Sequence, residues 1–183
     1  MHYLIMLLFS FLFLLLQNFP SFTHAEKDSI NWRSRRELNW TDFKATPVES
    51  APNAALTSTS ILLNYTYDKK SLSFQLKCVF HPEKSWVRVN TPQILAHEQG
   101  HFDISQLFTR KLFKSLSEYN FKPGSVDKDV KTIYQQVATE QSAYQELYDQ
   151  ETNYSRNKEV QLSWQEKIET ELRAAEKYAT YPE

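Results

Sequence analysis

The sequence predicts an α+β fold, with an antiparallel sheet in the first half followed by about three helices in the second. Two observations carry this. Between residues 26 and 90 apolar and polar residues tend to alternate, the period of a half-buried strand. Between residues 91 and 180 the apolar residues recur at three- and four-residue steps, the period of an amphipathic helix. A third feature stands outside both patterns. Tyr3 to Leu16 is an almost unbroken apolar run, and Thr23-His24-Ala25 places small residues where a signal peptidase would cut before Glu26. Residues 1–25 are therefore expected to be a signal peptide, with an uncleaved membrane anchor as the alternative. Residues 26–183 are expected to form one domain, with a β-rich half at 26–90 and a helical half at 91–183, exported to the periplasm or beyond.

The elements follow in order. Ile30 to Trp40 reads as a strand carrying Trp32, Leu38 and Trp40, and 44–53, with two prolines, as a loop. Ala55 to Tyr67 and Ser71 to Phe80 read as strands joined by a hairpin at Asp68-Lys69-Lys70. His81 to Lys84 is a turn, and Ser85 to Val89 a short last strand. Asn90-Thr91-Pro92 has the chemistry of a helix start, a capping side chain followed by proline in the first turn. The first helix is expected over 91–119, where Phe121-Lys122-Pro123-Gly124 breaks it. The second spans 126–151 on a stripe of Val126, Val130, Ile133, Val137, Tyr144 and Tyr148. The third spans 157–178 on Val160, Trp164, Ile168, Leu172 and Ala175.

Composition excludes some functions. Twenty-one basic and 22 acidic residues leave a net charge of −1, and no basic cluster exceeds Arg33-Ser34-Arg35-Arg36, so no nucleic-acid partner is expected. The lone Cys78 rules out an internal disulfide and falls on the apolar face of a strand, as an inert buried thiol. Only two glycines occur. Gly100 lies inside the first helix, where glycine costs about 1 kcal/mol relative to alanine, and so suggests close packing by a neighbour.

The chemistry lies in His97-Glu98-Gln99-Gly100-His101, an H-E-x-x-H motif. Four residues apart on a helix, the two imidazoles project from one face and can share a Zn²⁺, while Glu98 is placed to act as the general base. Ile94, His97, His101, Ile104, Phe108 and Leu112 form one stripe. Gln99, Asp103, Gln106, Arg110 and Lys114 form the opposite, polar one. A catalytic zinc needs a third protein ligand. Asp103 points away, about 160° from the midpoint of the two histidines. His81, at a strand end, is a minor candidate. The acidic residues of the second helix remain, and its periodicity favours Glu140 or Glu151, which flank the apolar stripe, over Asp149.

Leu95-Ala96-His97-Glu98-Gln99-Gly100-His101-Phe102-Asp103-Ile104 resembles the signature of an uncharacterised bacterial family, a domain of unknown function whose members are usually described as secreted zinc-dependent proteases. The resemblance extends to Leu38–Phe43, the Ala55–Ile61 strand, Tyr148-Asp149-x-x-Thr152 and Gln161-x-x-Trp164. It implies a zincin-like architecture with the motif on the first long helix and, through the shared Tyr-Asp-x-x-Thr, Asp149 as third ligand. It further implies that Asp103 is a structural carboxylate. Many members carry His-Gly where this chain has Tyr154-Ser155, which removes a histidine from consideration and leaves Tyr154 as a packed residue or an oxyanion donor. The function expected is a zinc metallopeptidase acting on a protein or peptide substrate. The alternative is a non-catalytic, zinc-stabilised scaffold of the cell envelope.

Overall fold

A computed structural model describes residues 28–51 and 53–183; the expected signal peptide lies outside them. The fold is α+β. Strands β1 (Ile30–Asn31), β3 (Thr59–Tyr67) and β4 (Leu72–Phe80) form an antiparallel sheet in the order β1-β4-β3, and β2 (Ala55–Leu56) pairs separately with β5 (Trp86–Val87). Helices α1 (Pro92–Ser117), α2 (Val126–Glu151) and α3 (Lys158–Ala174) follow, with a 3-10 turn at Glu176–Tyr178. The β3–β4 hairpin pairs Thr59 with Phe80 through to Tyr67 with Leu72. Its turn is held by Asp68, whose Oδ1 accepts from the backbone N–H groups of Lys70 and Ser71. Thr91 caps α1 by accepting from the Ile94 N–H, with Pro92 in the first turn, and Asn157 caps α3 through the Val160 N–H.

Helix α1 is the axis of the molecule. Residues 102–110 are buried without interruption. Ile104, Leu107, Phe108 and Leu112 meet Leu76 of the sheet, Val130 and Tyr148 of α2, and Trp164, Ile168 and Leu172 of α3 in one core. Phe102 joins Leu38, Phe43, Cys78 and Phe80 in a second. The stripes expected of α2 and α3 supply the buried Val126, Val130, Val137 and Tyr148, and Trp164, Ile168 and Leu172.

Two expectations change. The segment from Ile30 to Trp40 is not one strand. Only Ile30 and Asn31 pair, with Phe80 and Val79. The chain then turns and crosses the back of α1, where the Leu38 N–H donates to Gln99 Oε1 at 2.9 Å, before a 3-10 turn at Trp40–Asp42 capped by Asn39. The second change is that the polar stripe of α1 is covered from Asp103 to Arg110, by this crossing, by α3 and by Tyr181, while Lys114 stays exposed. Asp103, Gln106 and Arg110 are all buried. Asp103 accepts from Trp32 Nε1 (2.7 Å), Gln99 Nε2 (3.0 Å) and the Arg36 guanidinium (2.9 and 3.1 Å). Gln106 accepts from the Tyr181 hydroxyl, and Arg110 donates to the Leu172 carbonyl and Glu176. The covering segments satisfy most of these polar atoms, which makes the burial tolerable, though Gln106 Nε2 and Arg110 Nε have no partner among the described residues. Periodicity separates polar from apolar faces, but not a solvated polar face from a covered one. The Ala55–Tyr67 run likewise divides at Thr57-Ser58 between the two sheets, because Ser58 is engaged by Ser85 and His81 instead of a ladder: its N–H donates to Ser85 Oγ and its carbonyl accepts from the His81 N–H.

Candidate metal centre

His97 and His101 lie in the second and third turns of α1, and Asp149 in the last turn of α2. His97 Nε2 and His101 Nε2 stand 3.0 and 3.1 Å from the same oxygen, Asp149 Oδ1, and 3.3 Å from each other. The three atoms form a nearly equilateral triangle. Its edges match the ligand-to-ligand spacing of a tetrahedral zinc site, about 3.3 Å for bonds near 2.0 Å. The His97 side chain is 4% exposed, that of Asp149 26%, so the triangle opens on the aspartate side.

Hydrogen bonds fix which nitrogen faces the triangle. The Tyr148 hydroxyl donates to the His97 carbonyl at 3.1 Å, so it must accept from the Gln161 amide nitrogen at 2.6 Å. That turns Gln161 Oε1 toward His97 Nδ1, 2.9 Å away, which therefore carries the proton. Gln145 plays the same part for His101: its Nε2 donates to the His101 carbonyl at 3.1 Å, leaving Oε1 to accept from His101 Nδ1–H. Both neutral imidazoles thus turn Nε2 lone pairs toward a carboxylate oxygen. Three lone pairs at this spacing repel unless a cation lies among them. A proton on an imidazole Nε2 serves in place of a cation, turning its contact into a hydrogen bond to Asp149. Burial would push the Asp149 carboxyl up, yet the bonds to His101 and His97 hold it well below the usual carboxylate range. Burial would lower His101, but Asp149 and the charge of Glu98 raise it.

Glu98 lines the same small cleft of about 100 Å³, with β2, Thr57, Ile94 and Tyr154. It is 4% exposed, and its Oε2 has no hydrogen-bond partner among the described residues. A buried carboxylate oxygen left unpaired is costly. Its natural partner is a water or substrate group in the cleft.

Asp149 reaches the two imidazoles without any unwinding of α2, which stays helical through Glu151. Periodicity favoured the glutamates because it took the apolar stripe for the direction of the site. In fact the stripe meets α1 at Gly100, where Tyr148 packs against the helix and stacks on His97 with ring centroids 4.6 Å apart. The site lies beside that contact, one residue further along α2. Glu140 is exposed and accepts from Gln136, while Glu151 accepts from Trp164 Nε1 at the α2–α3 contact. Neither reaches the triangle. His81 pairs with Ser60. Asp103 is the anchor of the N-terminal crossing. Tyr154 stands at the cleft within three successive residues of positive φ, Asn153 (50°), Tyr154 (51°) and Ser155 (70°). Gln145 gave no signal in the sequence; Gln161 and Thr152 were visible only within shared motifs, without a role.

Fold and site together define an α+β protein with a His/His/Asp cluster able to hold a metal ion. Residues 27–157 match the model of a family described as bacterial protein of unknown function (DUF922), and the chain belongs to that family. No curated protein and no solved structure matches it.

Proposed function

We propose that the protein is a zincin-like zinc metallopeptidase, with His97, His101 and Asp149 as metal ligands and Glu98 as general base. The observation that carries this reading is the pairing of a three-atom ligand triangle with Glu98, which lines the same cleft and has a buried, unpartnered Oε2. His97, His101 and Asp149 would hold a zinc ion there, which would supply Lewis acidity and lower the pKa of water at the site from about 15.7 toward 7. Glu98 takes the proton of the attacking water on its free oxygen and passes it to the leaving amine. Gln161 and Gln145 keep both imidazoles in the Nδ1–H form. A stabilising site in a scaffold has no use for an unpaired base, which favours the enzyme over the non-catalytic reading. The apolar N-terminal run supports action outside the cytoplasm; no helix of the described residues is long and apolar enough to cross a membrane.

The test joins metal analysis to turnover. Glu98→Gln is expected to keep one zinc per chain and to lose peptide hydrolysis by about 10²–10⁴-fold. His101→Ala is expected to lose the metal itself. Undiminished turnover in Glu98→Gln would reject the assignment of the base, and full zinc occupancy in His101→Ala that of the ligand.

A further inference from the structure

Strand β3 is the edge of its sheet, and among the described residues no strand pairs with its outer side. Helix α2 runs beside that edge and leaves a groove. Near the metal centre the groove is about 600 Å³ and opens on His101 and Asp149. Its walls are uncharged: the hydroxyl residues Thr57, Ser58 and Ser60 on one side, Gln141, Ser142 and Gln145 on the other. At its far end the Tyr134 hydroxyl donates to the Ile61 carbonyl at 3.0 Å, closing the strand edge at that point. Beyond this latch the groove continues, through the shared Ile61 and Tyr134, into a mainly apolar hollow of about 480 Å³ lined by Leu62, Leu63, Tyr65 and Val130, with the charged Asp127 and Lys131 also on its wall.

We infer that this hollow is a recognition subsite for a large apolar side chain of an extended polypeptide whose polar, uncharged segment lies in the groove. The inference rests on the metallopeptidase reading for the placing of the cut. An edge strand offers backbone groups to an extended chain. The latch limits that pairing to the stretch before Ile61, and the next side chain of the guest meets the apolar walls. From Thr57, whose hydroxyl donates to the Glu98 carbonyl, to Leu63 is six residues, or about 20 Å of strand. The apolar residue therefore lies several positions from the scissile bond. Nothing cationic or anionic lines the near groove apart from the centre itself, so charged residues in the intervening segment are disfavoured.

Binding is measured on the zinc-loaded Glu98→Gln protein, by fluorescence anisotropy of labelled Ser/Gln/Gly decapeptides carrying a single Leu at each position in turn. One or two adjacent Leu positions are expected to tighten binding about tenfold or more over the all-polar peptide. Leu62→Asp is expected to erase that gain while leaving the all-polar peptide unchanged. Leu62→Ser gives the same result by a milder change, and thermal unfolding of both variants verifies folding. Ala138→Trp, which fills the near groove, is expected to weaken every peptide. A Leu scan without a preferred position, or a preference that survives both Leu62 variants, overturns the subsite. Leu-dependent binding in a protein whose wild type cleaves nothing would instead sink the peptidase reading and leave the subsite standing.

Discussion

A methyl group on Gly100 would meet the Tyr148 Oη at 2.3 Å and its Cζ at 2.7 Å. That ring is not free to retreat. It is fully buried, stacked on His97 and held by Gln161 and the His97 carbonyl. Alanine gains about 1 kcal/mol over glycine in a helix interior, whereas overpacking costs about 1–3 kcal/mol. Since the obstacle is a ring and not a flexible chain end, the clash wins. Gly100→Ala is expected to destabilise the fold by up to about 2 kcal/mol and to weaken zinc binding, as read from urea unfolding and metal titration. A Gly100→Ala protein more stable than wild type would show that α1 and α2 do not approach this closely. The glycine was a signal in the sequence, but its partner was not: nothing along the chain ties residue 100 to residue 148.

At the scale of elements, the N-terminal crossing holds α1 from behind. Asp103→Ala removes the acceptor shared by Trp32, Gln99 and Arg36. Trp32 Nε1 and Arg36 Nε are then left without an acceptor, while Gln99 keeps the Arg36 carbonyl and Arg36 keeps Glu169, at an expected cost of about 2–4 kcal/mol, checked by denaturant unfolding. A loss within 0.5 kcal/mol would mean that the crossing contributes little. The same segment carries a pH dependence. Burial would raise the Asp42 carboxyl, but the Arg35 guanidinium and the Asn39 N–H outweigh it and hold it below the ordinary value. A depressed carboxyl stabilises the fold fully above its unfolded value, about 3.9, and loses that contribution as pH falls through the folded one. The stability gap between wild type and Asp42→Asn is therefore expected to narrow between pH 6 and pH 3 in urea titrations. A gap that widens toward acid contradicts the assignment.

At the scale of the whole molecule, the His97/His101/Asp149 cluster ties α1 to α2, and through Gln161 to α3. Metal that binds only the folded chain stabilises it by mass action, about 2.7 kcal/mol at a hundredfold excess over Kd. For a chain of this size that corresponds to a rise in Tm of about 5–10 °C. Chelation is expected to reverse the rise, and His101→Ala to show none. Equal melting temperatures with and without zinc, in a protein shown to bind it, would mean that the site does not brace the helices.

The chain alone determined the α+β class, the hairpin, the extent of α2, and the His97, Glu98 and His101 constellation, because each rests on local periodicity, capping or spacing within one turn of helix. It offered Glu140, Glu151 and Asp149 for the third position without ranking them consistently. Of the three, tertiary structure brings only Asp149 beside the imidazoles, since a contact between two helices depends on which surfaces close upon each other. Here the Tyr148 ring on Gly100 sets the approach and carries Asp149 to the imidazoles. Tertiary structure also decided that the middle of the polar stripe of α1 is buried, a fact of what lies opposite Asp103, Gln106 and Arg110, which no periodicity along a single segment records.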